Sequence, residues 1–486
     1  MKNFSKRFCM GRLVLLPLAL ALAMILSGCQ SVQFLLADMF GGTASGGGSS
    51  SQGSVLSKTP GGQGGTAITL QPLPVPQSYE KAYAYHTDVA DKAMSAFIKR
   101  REVDSLRGTN PSGWLRTVVE EINRVAKNDF EKARLAHDVV AVLISYDAAS
   151  YWSGSLPPQD FASVIKSCKA VCEGYAAVYQ RLCDSLKLPC KTIHGYARGV
   201  GTSLANETKV TESNHAWNRV QLEGDWYLVD CTWDAGHMEG KTARQSYITD
   251  WLFLRPEHFI YSHLPQRQQD QLLTTPLSPQ DFAKLPDLRP KFFQVAKDFA
   301  PLPAKTNQAD GTLAMEFKET DGFQLDFTLW SLDSGRPASN SLMVRRQPGG
   351  LTKAEFSFPS AGLYVVDVFW RRAGGRQGTS CGQFLVESSQ AGSVQYPALF
   401  PVDGVEVQSP LTMPLSAGIT VQFKVAAPQK KFVAVIYGST YIQLESDGRG
   451  NFSGQVSVPR TARDISIGVS NSQRGSYTIV AKYSVK

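Results

Sequence analysis

The sequence predicts an α+β domain, a helical lobe followed by an antiparallel sheet, with two β-sandwich modules behind it. Three observations carry that reading. Between Tyr79 and Leu186 apolar residues recur at helical spacing. From Cys190 to Trp233 they alternate as strands do. After Phe293 the chain becomes short alternating runs punctuated by Gly, Ser and Pro. The divisions expected are a leader over 1–28, a tether over 29–77, the α+β domain over 78–292, and sandwich modules over 293–390 and 391–486.

The leader opens with Lys2, Lys6, Arg7 and Arg12 and continues as an apolar run from Leu13 to Leu26. That pattern is a secretory signal, and the run is short for a spanning helix. Leu26-Ser27-Gly28-Cys29 resembles the lipobox of bacterial lipoproteins, which implies cleavage before Cys29 and lipid on its thiol. Gln30 follows where an aspartate is absent, so the resemblance implies the outer membrane, facing the periplasm, as the destination in the cell envelope. From Phe40 to Gln77 the composition shifts to Gly, Ser, Thr and Pro. Such a chain buries too little apolar surface to offset its entropy and reads as a flexible tether, with a reach on the order of 35 Å.

Helices are expected over Tyr79–Arg101, Gly113–Ala126 and Asp129–Tyr146, with Gly108-Thr109-Asn110-Pro111 as a breaker. In the third, Phe130, Ala133, His137, Val140, Ala141 and Ile144 mark the buried side, and His137 reads as a satisfied core histidine. A fourth runs from Ser167 to Leu186, its inner face Val171, Tyr175, Val178, Leu182 and Leu186. Cys190–Arg198 reads as a strand, and 199–213 as a polar loop placed to gate a cleft. His215 to Trp233 reads as a hairpin turning at Gly224-Asp225.

Cys172 lies in the first turn of the fourth helix. There the macrodipole and free backbone N–H groups favour thiolate over thiol and suit an oxyanion. The hairpin sets His215 and Asp230 on neighbouring strands. With side chains on one face, Asp230 orients the imidazole and His215 acts as general base toward Cys172. His194, beside Gly195, is the competing base, and Cys168 the competing thiol. In the loop before the nucleophile, Gln159 and Trp152 are candidates to complete the oxyanion hole.

The blocks CEGYA (Cys172–Ala176), NHAWN (Asn214–Asn218) and VDCTWDAG (Val229–Gly236) resemble the three signature blocks of the transglutaminase-like superfamily, in that family's order. The stretch from Trp251 to Phe293 is similar to its kyphoscoliosis-peptidase branch. The resemblance implies a papain/transglutaminase-like catalytic domain with a Cys172-His215-Asp230 triad and no cofactor. Hydrolysis of protein or peptide amides in the envelope is the outcome it favours. The same triad serves a cross-linking transferase if an amine replaces water, and a binding scaffold that keeps the fold is the rival class.

The remaining composition excludes more than it adds. The chain carries eight cysteines; Cys183 and Cys190 are placed for a short bridge or for a pair of buried thiols. No Cys-x-x-Cys occurs and the seven histidines are scattered, so no metal is expected. Of the net charge of +8, four units lie in the leader, and no basic cluster interleaved with aromatics appears, so nucleic acid is not an expected partner. The expected partners are a protein or peptide substrate, the membrane through Cys29, and proteins docking on the sandwich modules. The strings Gly362–Trp370 and Gly475–Tyr483 suggest that those modules are a repeat.

Overall fold

The computed structural model describes residues 79–486 except 201, 208, 209, 298, 300–302, 348, 349, 376, 401, 403 and 474. The leader, Cys29 and the tether lie outside the described residues.

The helical lobe comprises α1 (Tyr79–Tyr83), α2 (Lys92–Phe97), α3 (Arg101–Thr109), α4 (Pro111–Val125) and α5 (Asp129–Leu143). The single helix expected over Tyr79–Arg101 is broken. The connection after α1 is tied to the sheet by His86 on Leu252 O at 2.5 Å and Thr87 N–H on Thr249 Oγ1 at 2.5 Å, and Asp91 then caps α2. Asn110 ends α3 with a non-helical backbone, caps α4 through Gly113 N–H, and is followed by Pro111, which suits a first helical turn. The third expected helix stops at Leu143. Ser145–Tyr146 is instead a strand, β1, in parallel register with β2 (Lys169–Ala170). Between them lie α6 (Ala148–Ser153) and α7 (Phe161–Ser167), and α8 (Cys172–Ser185) follows β2.

The sheet is built from β3 (Cys190–Ala197), β4 (His215–Leu222) and β5 (Asp225–Val229), with α9 (Cys231–Ala235) and the hairpin of β6 (Gly236–Glu239) and β7 (Thr242–Gln245) following. Then come β8 (Leu252–Leu254), α10 (Pro256–Phe259) and β9 (His263–Pro265), giving the order β8-β5-β4-β3-β9. The β4–β5 turn is Glu223-Gly224, one residue earlier than expected. Leu222 pairs with Asp225, and both turn residues have positive φ, at 53° and 97°, as a two-residue hairpin turn demands. The helix α8 packs between α5 and β4, burying Tyr175, Val178, Tyr179 and Leu182 against the core.

After α11 (Pro279–Phe282) the boundary expected at 292/293 falls inside α12 (Pro290–Val295), and the first sandwich already begins at β10 (Asp287–Leu288). Its strands are β11 (Ala296–Lys297), β12 (Thr306–Ala309), β13 (Thr312–Glu319), β14 (Phe323–Ser331), β15 (Arg336–Pro337), β16 (Leu342–Arg346), β17 (Leu351–Ser357), β18 (Gly362–Arg372) and β19 (Thr379–Ser388). One sheet is β10-β19-β18-β14-β15, with β12 also on β19; the other is β11-β13-β17-β16. Phe282, Leu285, Leu288 and Phe292 share one core with Phe327, Phe356 and Phe384, so the two domains are fused by apolar packing.

The second sandwich has β20 (Ala398–Leu399), β21 (Glu406–Ser409), β22 (Thr420–Ala426), β23 (Phe432–Tyr437), β24 (Thr440–Gln443), β25 (Glu445–Ser446), β26 (Asn451–Ser457), β27 (Asp464–Ser470) and β28 (Thr478–Ser484). Its sheets run β20-β28-β27-β23-β24 and β21-β22-β26-β25, the same order as the first. The modules therefore repeat in topology. The two similar strings are not the matching parts: they fall on β18 and β28, whereas the sheet orders equate β18 with β27 and β28 with β19.

Candidate active site

Val171 caps α8 and Cys172 is its first residue, so the Cys172 N–H has no carbonyl one turn back and is left for a partner outside the helix. Gln159 fixes the residue before it. Its Oε1 accepts from Val171 N–H at 3.0 Å, while its Nε2 donates to Pro157 O at 2.8 Å. A Cβ at Gly174 would lie 2.6 Å from Ala170 Cβ and 2.7 Å from Gln159 Oε1, which is why the block at Cys172 carries glycine there.

His215 opens β4, and the asparagines on either side of it locate the strand. Asn214 accepts from Ala197 N–H at 2.7 Å and donates to Ala197 O at 3.0 Å; Asn218 Nδ2 donates to Ala176 O at 3.1 Å, bolting β4 to α8. His215 Nε2 lies 2.7 Å from Asp230 Oδ2. The same imidazole and the Ala216 N–H both act on the Cys172 thiol and favour its charged form. With Nε2 held by Asp230, the other ring nitrogen is the one left to serve the thiol. Asp230 sits one residue past the end of β5 as the cap of α9, its Oδ1 accepting from Thr232 N–H at 2.8 Å and Trp233 N–H at 3.2 Å. The three residues expected to meet are therefore brought together.

The carboxylate has a second imidazole that the sequence reading missed. His263 on β9 places Nε2 3.2 Å from Asp230 Oδ2, and Ser262 Oγ is 2.8 Å from its Nδ1. The donor atoms of His215, Asp230 and His263 lie within 4.8 Å of one another, and these hydrogen bonds engage all three. Nothing in the sequence pairs residues 230 and 263; only the β3–β9 register, with Ala197 opposite His263, brings them together.

Charge follows from this geometry. Burial works against charge on His215, but the Asp230 carboxylate and then the Cys172 sulfur outweigh it, and the imidazole is pushed up to about 10. Burial would raise the Cys172 thiol; the His215 charge, its hydrogen bond and the Ala216 N–H bring it below the ordinary thiol value. Burial would likewise raise Asp230, yet the His215 imidazolium holds its carboxyl well below the usual range. Burial dominates at His263, which falls to about 3 and is neutral. These directions together favour a thiolate–imidazolium pair backed by a carboxylate.

Other expected residues stand elsewhere. Trp152 is 41% exposed on α6, edge-on to Tyr151 at 5.1 Å, with Lys241 over its ring. The phenols of Tyr146 and Tyr151, whose rings lie 5.9 Å apart, are pushed up by burial and then by the Cys172 charge. His194 is exposed and pairs with Glu173 at 2.8 Å. Cys168 caps α7 with positive φ and meets the Arg107 guanidinium at 2.6 Å. Cys183 and Cys190 are free and buried, a pair of thiols and not a bridge. The 199–213 loop is anchored by Glu207, which receives Arg198 Nε at 2.8 Å, Tyr196 Oη at 3.1 Å and Lys305 Nζ at 3.3 Å.

The family model of the transglutaminase-like superfamily matches residues 116–231, the stretch from α4 to the first residue of α9. Those residues belong to the transglutaminase-like superfamily. The chain is similar to the kyphoscoliosis peptidase of Homo sapiens, at 31% identity over 207 residues, covering 41% of this chain and 31% of that protein. Hillarin of Drosophila melanogaster is 23% identical over 326 residues, covering 61% of this chain and 38% of its own length. The chain thus spans about a third of the length of these relatives. Among solved structures, the crystal structure of a TGase covers 32% of this chain and 38% of its own, at 19% identity and a TM-score of 0.21.

Proposed function

We propose that this protein is a cysteine acyl-transfer enzyme acting on amides of proteins or peptides, with Cys172 as nucleophile, His215 as proton shuttle and Asp230 as the group that orients it. The observation that supports it is the 2.7 Å bond from His215 to Asp230, with that imidazole raised to about 10 and the Cys172 thiol lowered by it. The thiolate attacks the carbonyl carbon, and the Cys172 N–H, set in place by the Gln159 grip on Val171, donates to the oxyanion. Collapse breaks the C–N bond as His215 gives its proton to the leaving amine. A thioester remains. His215 then takes a proton from water, which releases acid, or from an amine, which forms a new amide.

The likeness to kyphoscoliosis peptidase favours water. The proposal includes a lipid on Cys29, which would hold the enzyme in a bacterial envelope and make envelope proteins and peptides its substrates. Incubation with a labelled primary amine and a peptide library separates the outcomes: cleavage without label is expected. Neither cleavage nor incorporation by protein whose Cys172 alkylates no faster than an unfolded thiol at neutral pH would remove the enzymatic reading. Replacing Cys29 with Ser should move the protein out of the membrane fraction.

A further inference from the structure

A second buried imidazole lies outside the triad. His137, on α5, is wholly buried and places Nε2 3.0 Å from Asp234 Oδ2. Asp234 belongs to α9, the short helix that Asp230 caps. Its Oδ1 accepts from Trp251 N–H at 3.0 Å, Trp251 O accepts from Asp230 N–H at 3.1 Å, and Asp234 N–H returns to Asp230 O at 3.2 Å. Asp230 and Asp234 are thereby closed into one ring of hydrogen bonds through the Trp251 peptide. The Trp251 indole then lies 4.7 Å from Trp233 and 5.0 Å from His263, the other imidazole on Asp230.

We propose that His137 is a positioning residue for Asp230: by clamping Asp234 it fixes the short helix that presents the Asp230 carboxylate to His215. This rests on the triad reading above. The groups facing His137 are Asp234 from α9, Asp138 on its own helix and Tyr247 from the segment after β7; Arg134 pairs with Asp138 at 3.5 Å, and the His86 imidazole feels the His137 charge. Asp138 is in turn held by Asp91 N–H at 2.9 Å and by the Tyr247 hydroxyl. Burial opposes charge on His137, but the bonds to Asp138 and Asp234 prevail and raise it to about 9. Burial pushes Asp234 up to about 7, against the pull of His137. An imidazolium is the group that makes it possible to bury this carboxylate between α5 and the triad loop; an apolar side chain in its place would leave a carboxylate facing hydrocarbon.

The test is the pH dependence of Cys172 alkylation by iodoacetamide in the full chain, which requires no substrate. Alkylation no faster than that of an unfolded thiol in the unaltered protein would sink the triad reading itself, separately from this proposal. In His137→Ala the rate at neutral pH should fall about tenfold and the midpoint should move up toward that of a free thiol. His137→Gln, which still donates to Asp234, should recover most of the rate. Val139→Ala, an equally buried truncation on the same helix, serves as the stability control and should leave the midpoint in place. Should His137→Ala not fold, Asp234→Asn carries the comparison and should raise the midpoint in the same direction. An unmoved midpoint in the folded His137 or Asp234 variant, or an equal shift in Val139→Ala, overturns the proposal.

Discussion

His215 and His137 each set Nε2 against a carboxylate from one end of the same short helix, at 2.7 Å from Asp230 and 3.0 Å from Asp234. Both are raised above the ordinary histidine value, to about 10 and about 9. What separates them is the far ring nitrogen and the way out. His137 faces Asp138 at 3.4 Å inside a sealed core, while His215 meets a thiol at a helix start and keeps 8% of its side chain exposed. A perturbed imidazole beside a carboxylate is therefore common to structural and chemical sites here. The thiol on the other side distinguishes them.

The largest effect that tests this contrast is the loss of Asp230. Asp230→Ala leaves the His215 imidazolium buried without its carboxylate and removes the cap of α9. Breaking a buried pair on one side costs about 3–5 kcal/mol, so urea unfolding should show a loss of that order, with Cys172 alkylation at neutral pH reduced. A variant as stable as the parent would mean that the bond from His215 to Asp230 contributes nothing to the fold.

Next comes Gly174→Ala. The added methyl meets Ala170 Cβ, Gln159 Oε1 and Val164 Cγ2 at 2.6–2.8 Å, and overpacking of this kind costs about 1–3 kcal/mol. Because Gln159 holds Val171, the strain is delivered to the backbone that carries the nucleophile and not to the His137 side. Urea titration together with alkylation kinetics should show both quantities falling, and a loss of stability with unchanged alkylation would uncouple the glycine from the site.

The two histidines also differ from His263, which burial holds neutral, down to about 3. The sign follows from linkage. A histidine depressed below its unfolded value of about 6.5 leaves the unfolded chain binding more protons as the pH falls, so stability drops between roughly pH 6.5 and 3. For His215 and His137, raised in the folded state, the contribution is complete below about 6.5 and is lost as the pH rises through about 10 and about 9. His263→Gln should therefore flatten the acid limb of a stability–pH curve while leaving the alkaline limb in place. An acid limb of the same slope would assign that sensitivity to His86 and His258, which burial also depresses, to about 4 and about 3.

The same contrast explains what was legible in the sequence. Cys172, His215 and Asp230 could be read because each sits at a local landmark: a helix start, a strand start and a strand end. His263 and the His137–Asp234 clamp could not, since partners 33 and 97 residues apart meet only through tertiary register. The helix 79–101 was misread because the contacts of His86 and Thr87 with the sheet override local periodicity. The domain boundary was placed late because β10 and α12 belong by sequence style to the first domain and by packing to the sandwich.

The smallest effect decides between His194 and His215, the two imidazoles that compete as base for Cys172. His194 pairs with Glu173, the residue directly after Cys172, but both side chains are about half exposed, at 49% and 47%. An exposed pair of this kind is worth about 0–1 kcal/mol. Its ring is engaged by Glu173, while the imidazole that lowers the Cys172 thiol is His215. His194→Ala should therefore leave both the unfolding midpoint and the alkylation midpoint of Cys172 close to the parent values, where His215→Ala abolishes rapid alkylation. If His194→Ala slows Cys172 as much as His215→Ala does, the thiol is served by the exposed imidazole and not by the one buried against Asp230.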